Sequence, residues 1–452
     1  MKRRFWLLVF GFWFAGLTLP VFGEMRAGAA VRMVTPDLTK GPVFMAGFDN
    51  NRRATAIHDD LFARCLALQP AETPLVICGV DSIGLFWDDV VRIRQSVKTK
   101  LGRNADVIVA ALHDHQAPDT MGLWGPNAAT SGINEDYTSF VIQRTAEAAL
   151  AAIANLRPAS IALAKTHPAE LDTFIHDNRP PDVHDAELIL AAVTGVDGKP
   201  IATLINWANH PETLGSRNTQ ITADYPAAIY QRLEERRGGV AVFVNGAVGG
   251  MQSPLGAKLT GFPDNSFEKA EHIGRRVADI GADALEHPQA VKITRYEFKE
   301  RLVRIPIVNK GFEQAAQANI YHGRKPSVDG QTSAPVGLIR LLDGNEPMLE
   351  IALVPGELYP ELSVGGIQKY AGADFPDAPP EPAIKSLMQA PYRMLFGLAD
   401  DEIGYIIPKS EWDNQAPWLQ NAPKRFYGEV NSVGPEAAPI IAATLKELLT
   451  EP

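Results

Sequence analysis

The chain has 452 residues, 46% of them hydrophobic and 21% charged, which is enough apolar material to bury a sizeable core without staples. Its formal net charge is −10, and no segment clusters the positive charge that a phosphate backbone demands, so nucleic acid is excluded as a partner. Two cysteines, Cys65 and Cys78, exclude a scaffold built on disulfides.

At the N-terminus Lys2-Arg3-Arg4 precedes an apolar run from Phe5 to Leu19, which breaks at Pro20 and Gly23. That layout predicts a signal peptide over residues 1–23, because a comfortable membrane span needs ~20 apolar residues. An uncleaved N-terminal anchor is the alternative. Export leaves residues 24–452 as one catalytic unit in a periplasmic or secreted setting. There Cys65 and Cys78 either form one bridge or stay buried as thiols on neighbouring strands.

Beyond the leader, strand-like apolar runs alternate with amphipathic helical patterns, predicting an α/β fold of layered mixed β-sheets flanked by helices. Helices are expected over 88–101, over 135–155, where Tyr137, Phe140, Val141, Ala148 and Ala149 fall near i, i+3, i+4 spacing, and over 439–449. Four strands end in polar residues. The run 107–112 leads into His113-Asp114-His115, and 201–207 leads into Ala208-Asn209-His210-Pro211. The run 240–244 continues as Asn245-Gly246-Ala247-Val248-Gly249-Gly250-Met251-Gln252-Ser253-Pro254, and 348–354 ends in Pro355-Gly356-Glu357. Such strand ends are where α/β sheets place ligands, so a metal site is expected there.

In an extended chain His113 and His115 share a face, although the pair fits two hydrogen-bonded histidines as well as a metal-ligand pair. Two histidines and a glutamate would meet the needs of a zinc ion that keeps one position open for water. The Pro-rich stretch 374–382 and the residues from Trp412 to Trp418 fit either the rims of a substrate groove or plain surface packing.

In series these motifs resemble the catalytic domain of the neutral, non-lysosomal ceramidases. Ala46-Gly47-Phe48 with residues 56–64 is similar to that domain's opening, and His113-Asp114-His115-Gln116-Ala117-Pro118 to its His-Thr-His-Ser-Gly-Pro. Asn178-Arg179-Pro180 resembles its Asn-Arg-Ser-Pro, and Asn206-Trp207-Ala208-Asn209-His210 its Asn-Trp-Phe-Ala-Val-His. Pro355-Gly356-Glu357 and residues 397–405 follow in the right order, so the resemblance spans roughly residues 30–440. It implies Zn2+ held by His113, His210, Glu357 and Tyr405, with His115 just outside as a proton carrier or as a hydrogen-bonding partner of the nucleophile. It also implies that Arg179 and Tyr427 contact the scissile amide and its oxyanion.

Two departures stand out. The family's Gly-Asp-Val-Ser-Pro loop is one residue longer here, so either Ser253 takes the place of the catalytic serine, or Gln252 fills that space and activated water attacks unaided. The family's C-terminal β-sandwich has no counterpart in the sequence. The implied activity is hydrolysis of a linear amide in an N-acyl sphingosine or related N-acyl lipid, with transient contact at a membrane surface. Hydrolysis of another amide or an ester, or a catalytically silent zinc-containing binder of the same fold, are the competing readings.

Overall fold

The structure, a computed structural model, describes residues 25–321, 324 and 329–451, so the expected signal peptide lies outside the described residues. The first part of the chain forms β1 (Arg26–Met33), β2 (Ala56–Ile57), β3 (Phe62–Gln69), β4 (Leu75–Val80), α1 (Trp87–Leu101), β5 (Asp106–Ala111), α2 (Glu135–Ala154) and β6 (Arg157–Thr166). It continues through β7 (Leu188–Gly195), β8 (Pro200–Trp207), β9 (Gln220–Ile221), α3 (Tyr225–Arg237), β10 (Val240–Asn245), α4 (Phe267–Ala284) and β11 (Gln289–Val291). The remainder forms β12 (Arg295–Pro306), α5 (Lys310–Gln317), β13 (Gln331–Asp343), β14 (Glu346–Leu353), β15 (Glu357–Leu358) and α6 (Pro360–Val364). After these come α7 (Ile384–Leu387), β16 (Tyr392–Phe396), β17 (Tyr405–Ile406), α8 (Tyr427–Val430) and α9 (Ala437–Thr450). The helices and strands expected from periodicity all occur, with ends that agree to about two residues.

Local chemistry sets the helix ends. Asn134 opens α2 by accepting from Tyr137 N at 3.1 Å, with Glu135 and Asp136 placed against the positive end of the helix dipole. Ser266 opens α4 in the same way through Lys269 N. Helix α1 stops at Gly102, whose φ of 70° lets its N–H turn back to Lys98 O.

The largest sheet runs β10-β8-β7-β6-β1-β3-β4-β5, with β11 added beside β6. Its β10–β8 and β4–β5 pairs are parallel and the rest antiparallel. A second sheet runs β12-β13-β14-β16, where β14 and β16 are parallel. The inner faces of the two sheets share one core: Ile77, Ile108, Leu204 and Val242 from the first pack with Ile339, Ile351 and Met394 from the second. The outer faces are covered by helices, α1 and α2 over Val76, Val107 and Val109, and α3 and α4 over Ile205 and Phe243. Helix α9 covers Val336 and Leu338 of the second sheet. The architecture is therefore helix, sheet, sheet, helix, with β10 illustrating the period of two: Val242 and Val244 face one core, Ala241 and Phe243 the other. Truncating a side chain buried as fully as Phe243 to Ala costs ~3–5 kcal/mol.

Edges β5 and β10 of the large sheet curl toward each other. Asn245 Nδ2, at the end of β10, donates to Leu112 O just past β5 at 3.0 Å. Gly79 of β4 lies so close to β10 that a Cβ there would sit 2.3 Å from Phe243 O, so only glycine allows the approach. This curl gathers the C-terminal ends of β5, β8 and β10 in one place. Cys65 and Cys78 are register partners on β3 and β4 and form a disulfide, which resolves the two alternatives open from sequence. Among the described residues no helix is long and apolar enough to cross a membrane.

Candidate metal centre

Two residues past β5 the backbone turns at His113 with φ 64°, a left-handed conformation that non-glycine residues seldom adopt. The turn places His113 Nδ1 2.8 Å from Ile83 O. His210 follows β8 and does likewise, its Nδ1 lying 2.8 Å from Gln252 O in the loop after β10. A ring nitrogen that meets a carbonyl oxygen must carry the hydrogen, so in both rings Nε2 holds the lone pair. Both Nε2 atoms point at one oxygen, Glu357 Oε2, at 3.4 Å from His113 and 3.0 Å from His210. Glu357 stands on β15 directly beside Tyr405 of β17, and the Tyr405 hydroxyl donates to its carboxylate.

His115 completes the cluster. Ligand atoms of His113, His115 and His210 lie within 4.8 Å of one another, and their ring centroids are 4.8–5.4 Å apart. The His115 ring is held against the backbone of Gly47, whose φ is 92° and where a Cβ would overlap the imidazole, and edge-on to Phe48 at 5.0 Å. Its Nδ1 is 3.2 Å from Glu212 Oε2, off the line of a hydrogen bond. Among the described residues both His115 ring nitrogens and both Glu212 carboxylate oxygens lack a hydrogen-bond partner, although the residues are 6% and 0% exposed. Lone pairs of two imidazoles converge on a carboxylate with unpaired polar atoms beside them. That donor set suits a borderline cation such as zinc, and the three buried imidazoles can hold one.

Electrostatics separate the histidines: burial would lower His210, but Glu357 and Glu212 outweigh it and raise that imidazole above its ordinary range. Burial holds His113 below the ordinary imidazole range, an effect that Glu357 only partly opposes, and burial holds His115 well below it. Both are therefore neutral at pH 7, as ligation requires. Burial would raise Glu357, but His113 and His210 outweigh it and keep the carboxyl ionised below its usual range. Burial, reinforced by Glu357, pushes the Tyr405 hydroxyl well above the usual phenol range.

A cavity opens on this cluster. His113, His115, Glu357, Tyr405 and Tyr427 line its polar end, and Phe86, Met121, Leu123, Trp124, Phe312 and Tyr321 line the rest. Helix α5 contributes Phe312, Glu313 and Ala316 to the wall.

No family model matches the chain, and no curated protein matches it by sequence. Solved structures do. The neutral ceramidase from Pseudomonas aeruginosa superposes with a TM-score of 0.73 at 15% identity, over 94% of this chain and 74% of that one. A ceramidase structure complexed with C2 matches with a TM-score of 0.72 at 16% identity, over 94% of this chain and 75% of that one. The chain has the neutral ceramidase fold. On this ceramidase fold His113, His210, Glu357 and Tyr405 come together from four separate stretches of chain.

The other expected residues divide. Tyr427 is half exposed at the mouth of the ceramidase-fold cavity, its ring 5.9 Å from that of Tyr405. Arg179 and Ser253 do not line the cavity. Arg179 is buried, with Nη1 2.7 Å from both carboxylate oxygens of Glu429 and 3.2 Å from Tyr359 Oη, and with Nη2 donating to Glu411 O. Its ion pair is thus interior, whereas the family resemblance implied a contact with the scissile amide. Ser253 is fully buried, exchanges backbone hydrogen bonds with His176, and turns its Oγ to Leu255 N and the Glu212 side. Gln252 lends its backbone oxygen to His210 while Nε2 donates to Val183 O at 2.6 Å. The stretch 374–382 and Trp412 pack on each other through Asp374 N and Trp412 O, and neither reaches the cavity. Sequence reasoning missed Glu212 and Glu402. The signal for Glu212 was a carboxylate two residues after His210, on the same turn.

Proposed function

We propose that this protein is an exported, zinc-dependent amidohydrolase acting on a linear amide, with an N-acyl sphingosine or related N-acyl lipid as substrate. The observation that carries the reading is the convergence of two imidazole Nε2 atoms on Glu357 Oε2, each ring fixed through Nδ1 by a backbone carbonyl. His113, His210, Glu357 and Tyr405 would hold the ion. Zinc bound there would polarise a carbonyl and acidify water at neutral pH.

The chain's own residues supply the rest. His115, neutral and pressed between Gly47 and Phe48, accepts the proton of the attacking water and returns it to the leaving amine. Tyr427 donates toward the carbonyl oxygen as negative charge develops, a contact worth ~3 kcal/mol when well placed. The apolar wall suits an acyl chain, and the exposed Tyr427 at its edge suits a substrate drawn from a lipid surface. Ser253 is not required in this reading. The Cys65–Cys78 disulfide supports an oxidising compartment.

The test pairs metal analysis with turnover. Purified protein should carry about one zinc per chain and release fatty acid from N-acyl sphingosine, with chelator abolishing release. His113→Ala and His210→Ala should each lose zinc and activity together. Variants that keep full zinc and full turnover would contradict the assignment. One observation favours a second reading, a zinc-holding lipid binder: Ser253 and Arg179 both face away from the cavity. Stoichiometric zinc and lipid binding without turnover of any amide or ester would select it.

A further inference from the structure

Three acids follow one another in the loop between β16 and β17, and the interior treats them differently. Asp400 faces Arg94 at 2.8 Å and accepts from Val109 N. Asp401 accepts from Arg324, from Trp87 N and from Glu402 N, all through Oδ1, and its Oδ2 is unpartnered among the described residues but does not line the cavity. Glu402 has a partner for one oxygen only: Gly404 N donates to Oε1 at 2.7 Å. Its Oε2 has no hydrogen-bond partner among the described residues, although Glu402 is 4% exposed.

Glu402 lines the cavity that His113, His115 and Glu357 share. Room for it is made by Gly84, where an added Cβ would press on the Glu402 stem and on Met121 Sδ. Phe86, Met121 and Trp124 surround it on the apolar side. A carboxyl oxygen left unpaired in such a wall costs stability that a leucine there would not. Loop geometry explains Oε1, whereas nothing in the fold itself uses Oε2.

We infer that Glu402 is a specificity-determining residue whose free oxygen takes a hydroxyl group carried by the substrate within a few bonds of the scissile amide. The inference rests on the reading of the cavity as an amidase site. A hydroxyl both donates and accepts, so it pairs with an ionised or a protonated carboxyl alike, while an apolar substituent leaves Oε2 stranded. Sites built to hydrogen-bond a hydroxyl reject the analogue that lacks it far more strongly than apolar pockets distinguish a methylene.

The experiment uses the zinc-loaded full chain and three probes: N-octanoyl-ethylamine, N-octanoyl-ethanolamine and N-(2-hydroxyoctanoyl)-ethylamine. The wild type should favour one hydroxylated probe by about 10-fold or more in kcat/KM over the deoxy amide, and the favoured probe reveals which side of the amide the carboxyl reads. Glu402→Leu should bring that ratio to within about 2-fold, with a melting temperature equal to or above wild type, and Glu402→Gln should retain part of the preference. A ratio near one for both pairs in the wild type, or an unchanged ratio in both variants, overturns the assignment. Failure of the amidase reading is distinct, since none of the three probes would then turn over. In that event the melting-temperature shift that each probe induces decides: a preference for a hydroxylated probe that both variants weaken upholds Glu402, and equal shifts sink it.

Discussion

His115 and Glu212 illustrate what a single residue contributes. The imidazole cannot rotate, being clamped between a glycine backbone and a phenyl edge, and Glu212 Oε2 lies 3.2 Å behind its Nδ1. Although off the line of a hydrogen bond, a carboxylate that close favours a proton on Nδ1 electrostatically and leaves Nε2 as the basic nitrogen. We predict that Glu212→Gln lowers kcat by about 10-fold or more with KM and zinc content unchanged, as read by steady-state kinetics and metal analysis. Loss of zinc along with activity would instead make Glu212 part of the metal-holding set. His113, His115, His210 and Glu357 were legible in the sequence because each follows a strand, whereas Tyr405 entered only through the family resemblance. Glu212 and Glu402 were not, because nothing local distinguishes a glutamate aimed at a cavity from one in solvent. Ser253 and Arg179 were legible as motifs yet face elsewhere, because side-chain direction depends on loop length and on partners such as Glu429 that come from distant sequence.

At the level of elements, α6 carries an unusual burden. Its Glu361 is buried, and burial together with the neighbouring Glu411 pushes its carboxyl up to about 9. Glu411 itself is pushed up to about 7, chiefly by burial. Unfolded, Glu361 ionises near the ordinary 4.5. Between those values the folded chain binds the extra proton, so this contribution to stability is full at low pH and is lost as pH rises through the window. Glu361→Gln should therefore gain on the wild type as pH rises from 5 to 8, by about 1–3 kcal/mol at pH 8, measured by thermal unfolding at both pH values. A gap that shrinks with rising pH would refute the assignment. Helix α5 shows the limit of pattern reading: its eight residues present Phe312 and Ala316 to the cavity, yet so short a stretch carries little periodicity by which to find it.

For the molecule as a whole, alternating strand and helix patterns were sufficient to anticipate an α/β layering, because period two and period 3.6 are written in each segment. The layered mixed sheets were expected, whereas the strand order β10-β8-β7-β6-β1-β3-β4-β5 was not, since it depends on which strands meet across the chain. The Cys65–Cys78 bridge lies inside this layering and joins strands already paired in register, at a sequence separation of 13. Replacing both cysteines by alanine should cost about 2–3 kcal/mol in denaturant unfolding while leaving zinc content intact. A variant that no longer binds zinc would show that the hairpin stiffens the metal centre directly.

Because the edges β5 and β10 must swing together over Gly79 before His113 and His210 can share an oxygen of Glu357, no fragment of this chain owns a complete nest of donors. Capture of an ion belongs to the last moment of assembly, when the strand bearing Tyr405 has docked beside Glu357. Under the proposed zinc assignment, a polypeptide still being made would let the ion pass by, and the quantity of metal in a preparation would gauge how many molecules have finished.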